Sequence, residues 1–200
     1  EERVALVLDV GANSDCKDQH LYQFGLMGDI YSKFILKVKT PKVGLLSIGE
    51  EQTKGNELTI ASHKMLDSSS LNFCGNVEGR DILKGVADVV VCDGFVGNIV
   101  LKTFEGLGDT FQSLTKQVGQ AISSAYRLHG RPLLHAVGLN SWAQRMDYRE
   151  YGGACLLGVK GNVIISHGRS QAVAIKNAIG LAKLTAQRGV TTVIKEESHV

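Results

Sequence analysis

The chain has 200 residues, 44% of them apolar, and a formal charge of +2 with both signs interspersed, which allows one substantial core or two small ones and gives no electrostatic pointer to nucleic acid. No apolar run approaches the ~18 residues of a membrane span and no secretory leader opens the chain, so a cytosolic protein is expected. Cys16, Cys74, Cys92 and Cys155 are far apart without a C-x-x-C pair, so spacing encodes neither a disulfide framework nor a zinc site, and each reads as a reduced core residue.

The first residue is Glu1 rather than Met, and an apolar run begins almost at once with Val4; a piece of something longer, or a processed chain, is expected. Strand-like runs at 4–10, 43–48, 71–74 and 87–92 are separated by segments long enough for crossover helices, the pattern of a mostly parallel α/β sheet with flanking helices. Each strand ends in a polar turn, at 9–14, 49–57, 75–81 and 93–98, and in a parallel sheet these four turns gather on one rim and form a cleft. The first crossover helix carries Leu21, Phe24, Tyr31, Phe34, Ile35 and Val38 at three- and four-residue steps, with Gly28 on the same stripe.

The turn at 49–57 joins Gly49 and Gly55, which permit close backbone approach, to Thr53, Lys54 and Asn56, which offer donors suited to phosphate. Lys54 precedes Gly55, so this is not a Walker A loop, and no G-x-G-x-x-G follows any strand. A solvated loop lysine is the alternative for Lys54. At 89–102, three unalternated valines predict a strand covered on both faces. Asp93, Gly94, Gly97 and Asn98 follow at its carboxyl end, where a helix presents unpaired N–H groups to an anion. Alternatively, Gly94 and Gly97 only make the turn and Asn98 only caps the helix. Asp9 and Asp93 are candidate bases or metal ligands, although no clustered spacing demands a metal. Cys92, at the end of a buried strand, reads as packing rather than a nucleophile.

From about 103 to 146, Phe104, Leu107, Phe111, Leu114, Val118, Ala121, Ile122 and Ala125 recur near the 3.5-residue spacing of a helix-to-helix seam. Gly130, Arg131 and Pro132 then break the helix, and Leu133, Leu134, Val137, Leu139 and Trp142 form a second apolar series, so a projecting helical hairpin is predicted. Its apolar face suits the same hairpin on another subunit, a lipid surface touched by Leu133, Leu134 and Val137 beside Arg127, His129 and Arg131, or its own domain. Runs at 155–159 and 163–166 around Lys160-Gly161-Asn162 predict a short β-hairpin. His167 then stands as a general acid or base, a phosphate donor or a cap that bonds backbone; no G-x-S-x-G elbow surrounds Ser170. A helix with Ala174, Ala178, Leu181, Ala182 and Thr185 near one face follows, and 188–200 reads as a flexible tail. Residues 1–187 are thus expected to form one α/β domain bearing the hairpin.

Taken together, LDVGAN (8–13), IGEEQTKGNEL (48–58), FCGNVEGRD (73–81), ADVVVCDGFVGNIVLK (87–102), and DYREYGGACLLGV with the later SHG closely resemble the phosphate acyltransferases of bacterial phospholipid synthesis. Those enzymes make acyl phosphate from acyl-acyl-carrier protein. The likeness runs in unbroken order from about Val4 to about Ala186. It implies a fold like phosphotransacetylase and isocitrate dehydrogenase, a homodimer, and a cytoplasmic protein peripherally attached to the membrane. With this activity in view, the turn chemistry makes Lys54, Asp93, Asn98 and His167 the catalytic candidates, and Asn13, Thr53, Gly55, Asn56, Arg80, Gly94, Gly97 and Gly153 the candidates for binding phosphate or substrate. Acyl carrier protein and orthophosphate are the implied partners; phosphopantetheine arrives with the carrier, and no separate cofactor or metal is expected. Arg127, Arg131, Arg145 and Arg149 are expected to steer the acidic carrier and Arg80 to lie nearer the phosphate, the alternative being that these arginines are solvated or pair with local acids.

The chain departs from the family pattern in two ways: nothing corresponds to an additional amino-terminal region with a glycine- and aspartate-containing turn, and Cys155 stands where proline is common. Two other classes compete, a nicotinamide-dependent oxidoreductase of related architecture and a non-catalytic docking module. The first should show a cofactor-binding glycine pattern with an acidic ribose partner, and the second should have lost the polar turn residues.

Overall fold

A computed structural model of the chain describes residues 5–126 and 152–197. Four strands, β1 (Leu6–Leu8), β2 (Val43–Leu46), β3 (Phe73–Val77) and β4 (Val89–Val91), form one sheet in the order β1-β4-β2-β3, and every pairing is parallel. β4 therefore lies inside the sheet, between β1 and β2. Its three valines are at most 1% exposed, as an unalternated β-branched run requires when both faces are covered. Burying each contributes about 1.5–3 kcal/mol relative to leaving it in water.

The segment from β1 to β2 contains α1 (Asp18–Tyr31), whose Leu21, Phe24, Met27 and Ile30 are buried on the stripe facing the sheet. A side chain on Gly28 would run into Val89 Cγ1, so the missing Cβ sets how closely this helix approaches β4. The single crossover helix expected to reach Val38 is not continuous: it widens into a π-helical turn at Ser32–Leu36 and stops at Lys37, whose φ of 64° is left-handed. Between β2 and β3 runs α2 (Glu57–Asp67), and α3 (Gly79–Ile82) follows β3.

The third strand was expected at 71–74 with a turn at Gly75; it extends instead to Val77. Val43 pairs with Phe73 but Leu45 pairs with Asn76, so β3 accommodates one extra residue, and Gly75 takes a φ of 93° there.

The long helix expected after the β4 turn is α4 (Gly94–Tyr126), 33 residues that begin earlier than the seam pattern suggested. The tip of the predicted hairpin, with Leu133, Leu134 and Val137, lies outside the described residues, as do Arg127, His129, Arg131, Arg145 and Arg149. Strands β5 (Ala154–Leu156) and β6 (Val163–Ile165) pair as the expected small two-stranded sheet, and α5 (Ala172–Gln187) follows, with Ala174, Ala178 and Thr185 buried.

The expected loose tail is corrected over most of its length: α6 (Val190–Glu197) is helical, with Val190 and Ile194 buried, and it packs against α1. Arg188 anchors its start by donating from a guanidinium nitrogen to the Phe34 carbonyl at 2.9 Å. Val190, Val193 and Ile194 make only one turn of apolar pattern, too short to announce a helix, and the face of α1 supplies what the local sequence lacks.

The chain divides into two compact units where one domain over 1–187 was expected. The first holds the four-stranded sheet: residues up to Val100, Leu156–Val163 and from Lys183 onward. The second comprises Leu101–Cys155 and Ile164–Ala182.

Candidate active site

The turns that follow β1 and β4 are built as one piece. Asp9, 6% exposed, accepts hydrogen bonds from the backbone N–H groups of Gly11 (2.9 Å), Ala12 (2.8 Å) and Asn13 (2.7 Å) and from the Asn13 side-chain amide (2.9 Å). Burial pushes the Asp9 carboxyl up, but these donors outweigh it and hold its pKa below the ordinary carboxylate value. A carboxylate so fully engaged organises its own loop and leaves little capacity for the base or metal-ligand role considered for it. Asn13 in turn accepts the Gly94 N–H through its carbonyl at 2.9 Å, which joins the two turns.

Glycine is needed here for backbone contact. A Cβ on Gly97 would run into the Asp9 carbonyl oxygen, and one on Gly94 would lie 2.7 Å from the Asn13 carbonyl oxygen. Asp93 is the residue that caps α4, accepting the Val96 N–H through Oδ1 at 2.8 Å. Asn98, weighed as that cap, lies one turn further on, exposed, with Oδ1 3.5 Å from where a Cβ on Gly11 would stand. Cys92 is 3% exposed, and its thiol, directed at the Asp9 carbonyl at 3.3 Å, is pushed by burial up to about 12. That agrees with packing rather than nucleophilic chemistry.

The β2 turn is organised differently. Gly55, with a φ of 115°, has no room for a Cβ because Thr59 Oγ1 occupies that position. Asn56 caps α2, accepting the Thr59 N–H at 2.9 Å, and Ser47 donates its hydroxyl to the Lys54 carbonyl at 3.0 Å. Thr53 and Lys54 are exposed on this turn. Among the described residues no carboxylate forms an ion pair with the Lys54 ammonium.

A cleft of about 420 Å3 opens at the carboxyl ends of the strands, within the size range of small-molecule sites. Leu46, Ser47 and Ile48 line it from the β2 side, Cys92, Asp93 and Val96 from the β4 side, and Gly55, Asn56, Thr59 and Leu21 complete it. Gly55, Asn56 and Asp93 were expected at such a site, whereas Ser47 and Thr59 were missed. Thr59 was findable as the third helical residue after a capping Asn; Ser47 carried no local signal beyond its place at a strand end. Mostly apolar walls interrupted by the polar side chains of Ser47, Asn56, Thr59 and Asp93 suit a ligand that combines an apolar part with a polar group.

Three expected residues have other surroundings. The Arg80 guanidinium lies 2.8 Å from Glu78 and 3.9 Å from both Glu50 and Asp81, so it pairs with local acids. Gly153 belongs to the second unit, where a Cβ would stand 2.6 Å from the Ile165 carbonyl oxygen. His167, also in that unit, accepts the Arg169 N–H through Nδ1 at 3.2 Å, and its carbonyl accepts the Ser170 N–H at 2.9 Å. These are bonds of the capping kind considered for it. Among the described residues no cluster of His, Cys, Asp or Glu could hold a metal ion, and no helix is long and apolar enough to cross a membrane.

Comparison with known proteins adds a family to this geometry. The chain is 55% identical over 193 residues to the phosphate acyltransferase of Dehalococcoides mccartyi, covering 96% of this chain and 55% of the relative. It is 51% identical over 193 residues to that of Desulforamulus reducens and 54% identical over 194 residues to that of Halothermothrix orenii, in each case covering 96% of this chain and 57% of the relative. The chain therefore spans little more than half the length of these curated relatives. The family model described as fatty acid synthesis protein matches residues 1–193, and the chain belongs to that family.

Proposed function

We propose that this chain forms part of an enzyme that transfers a fatty acyl group from acyl-acyl carrier protein to orthophosphate, giving acyl phosphate for phospholipid synthesis. The observation that carries this reading is the β2 turn, which presents exposed Lys54 beside a cleft with apolar walls. The name phosphate acyltransferase, borne by relatives more than 50% identical, supports it. So do the exposed apolar side chains Ile48 and Val96, which line the cleft and suit an acyl chain.

In this mechanism a phosphate oxygen attacks the thioester carbonyl, the C–S bond breaks, and the carrier leaves as a thiolate that takes up the proton released by phosphate. Orthophosphate is anionic at neutral pH, so the protein need not supply a nucleophile; it aligns the two reactants and stabilises the developing oxyanion. Lys54 neutralises phosphate charge. The Asn56 amide, whose oxygen is engaged in the cap, offers its N–H groups, and Asn98 offers another amide. Gly55 lines the cleft, and Thr53, Asn13, Gly94 and Gly97 enter the proposal as substrate-binding residues of the same turns. Asp93 holds the start of α4, and His167 and Gly153 keep in this proposal the catalytic and substrate-binding roles expected from the sequence. The carrier protein, a homodimer and peripheral membrane contact belong to the same reading.

The test mixes the complete protein with palmitoyl-acyl carrier protein and phosphate and traps product with hydroxylamine. Phosphate-dependent hydroxamate that falls at least about 100-fold in Lys54→Ala is the expected result, on the scale of losing one charge-stabilising group; equal turnover removes Lys54 from the mechanism.

A further inference from the structure

We propose that Asn76, held by His63, is a positioning residue for the Lys54 turn; the inference rests on reading that turn as the phosphate-binding element. Both residues are buried polar groups that the mechanism above leaves unused, at 6% and 5% exposure. Asn76 stands on β3, one residue after the extra residue at Gly75, and donates from Nδ2 to the Glu51 carbonyl at 2.8 Å. That same carbonyl accepts the Lys54 N–H at 3.0 Å. One oxygen atom thus ties the backbone of Lys54 to a buried side chain of the sheet.

The orientation of the amide follows from its partners. Flipping it would set Oδ1 against the Glu51 carbonyl, two acceptors face to face, so Nδ2 must point to Glu51 and Oδ1 to His63. Oδ1 can only accept. His63 Nδ1, 2.9 Å away, must therefore carry the hydrogen of that bond. His63 is itself fixed on α2 by an edge contact with Phe73, the ring centroids 5.1 Å apart and the planes at 75°. The line His63, Asn76, Glu51 carbonyl, Lys54 N–H connects α2 and β3 to an otherwise exposed turn, and a buried network of this kind is effective only when every member is satisfied.

The decisive variant is Asn76→Asp, nearly equal in shape, which keeps the acceptor for His63 and replaces the donor facing Glu51 with an oxygen. In the complete protein the expected result is a KM for phosphate raised at least about tenfold with the KM for acyl-acyl carrier protein within about twofold, together with at least about tenfold faster hydrogen exchange at amides 51–56 and unchanged exchange in β1 and β4. His63→Leu should behave alike, and His63→Asn, which restores a donor near the Nδ1 position, should recover most of the phosphate KM. Unchanged exchange at 51–56, or acceleration spread evenly over the sheet, overturns the positioning role. If the unaltered protein makes no phosphate-dependent product, the functional reading falls, and the exchange measurement still decides whether Asn76 positions the turn.

Discussion

The turns after β1 and β4 and the turn after β2 share glycine and polar side chains, yet they use them in opposite ways. In the first pair, Asp9 takes four hydrogen bonds, Asp93 caps a helix, and Gly94 and Gly97 admit backbone against backbone. Their polar capacity is largely committed within the fold. In the β2 turn the backbone is tied down from behind, through Ser47 and Asn76, while Lys54 keeps its charge exposed. A rich turn motif is therefore a poor guide to where chemistry happens until its hydrogen bonds have been accounted for. Groups left over after the fold is satisfied are the ones available to a substrate.

Substitutions can break or sharpen this contrast. The largest effect is expected at Gly97→Ala, where the new methyl meets the Asp9 carbonyl; a loss of about 3 kcal/mol or more in urea unfolding is expected, and near-neutrality would show that the two turns are not tightly joined. Lys54→Ala should do the reverse, removing at least about 100-fold of acyl transfer, equivalent to about 2.7 kcal/mol, with a melting temperature within about 1 °C of the parent. A large stability loss there would erase the distinction between the turns.

Asp9→Asn should cost about 2 kcal/mol at neutral pH, since charge-assisted bonds to backbone donors are weakened. Because the Asp9 carboxyl titrates below its ordinary value of 3.8, its stabilisation is complete above that pH and is lost as pH falls through the folded-state value. The gap between parent and variant in unfolding free energy should therefore close under acid; a gap constant down to pH 2 would mean that the carboxylate charge is not what the loop uses. Arg80→Ala should be the mildest change, no more than about 1 kcal/mol, because its pairs with Glu78, Glu50 and Asp81 are made by a guanidinium that is 64% exposed. A phosphate-specific KM increase in that variant would restore Arg80 to the site.

The sheet was legible wherever local chemistry is unambiguous. Three adjacent valines can only be comfortable where both faces are covered, and β4 is buried as that pattern requires. The turns 9–14, 49–57 and 93–98 were also legible, because a parallel sheet delivers its strand ends to one side. Gly75 misled: a glycine after an apolar run ordinarily ends a strand, but here it admits one extra residue and lets Asn76 and Val77 continue it. The site was only partly readable. Gly55, Asn56 and Asp93 announced themselves by type and spacing, while Ser47 and Thr59 resemble any strand-end serine or helical threonine.

Residue order alone determined the parallel sheet, the long helix after β4 and the cluster of donors around Lys54, because propensity, periodicity and turn chemistry act between near neighbours in the chain. The pairing of Asn76 with a carbonyl 25 residues away, the Cβ-free approach of Gly97 to Asp9, and the helix at Val190–Glu197 were decided only by the packed fold. Each depends on a partner brought close by packing, and local pattern carries no information about which distant group will be there to receive it.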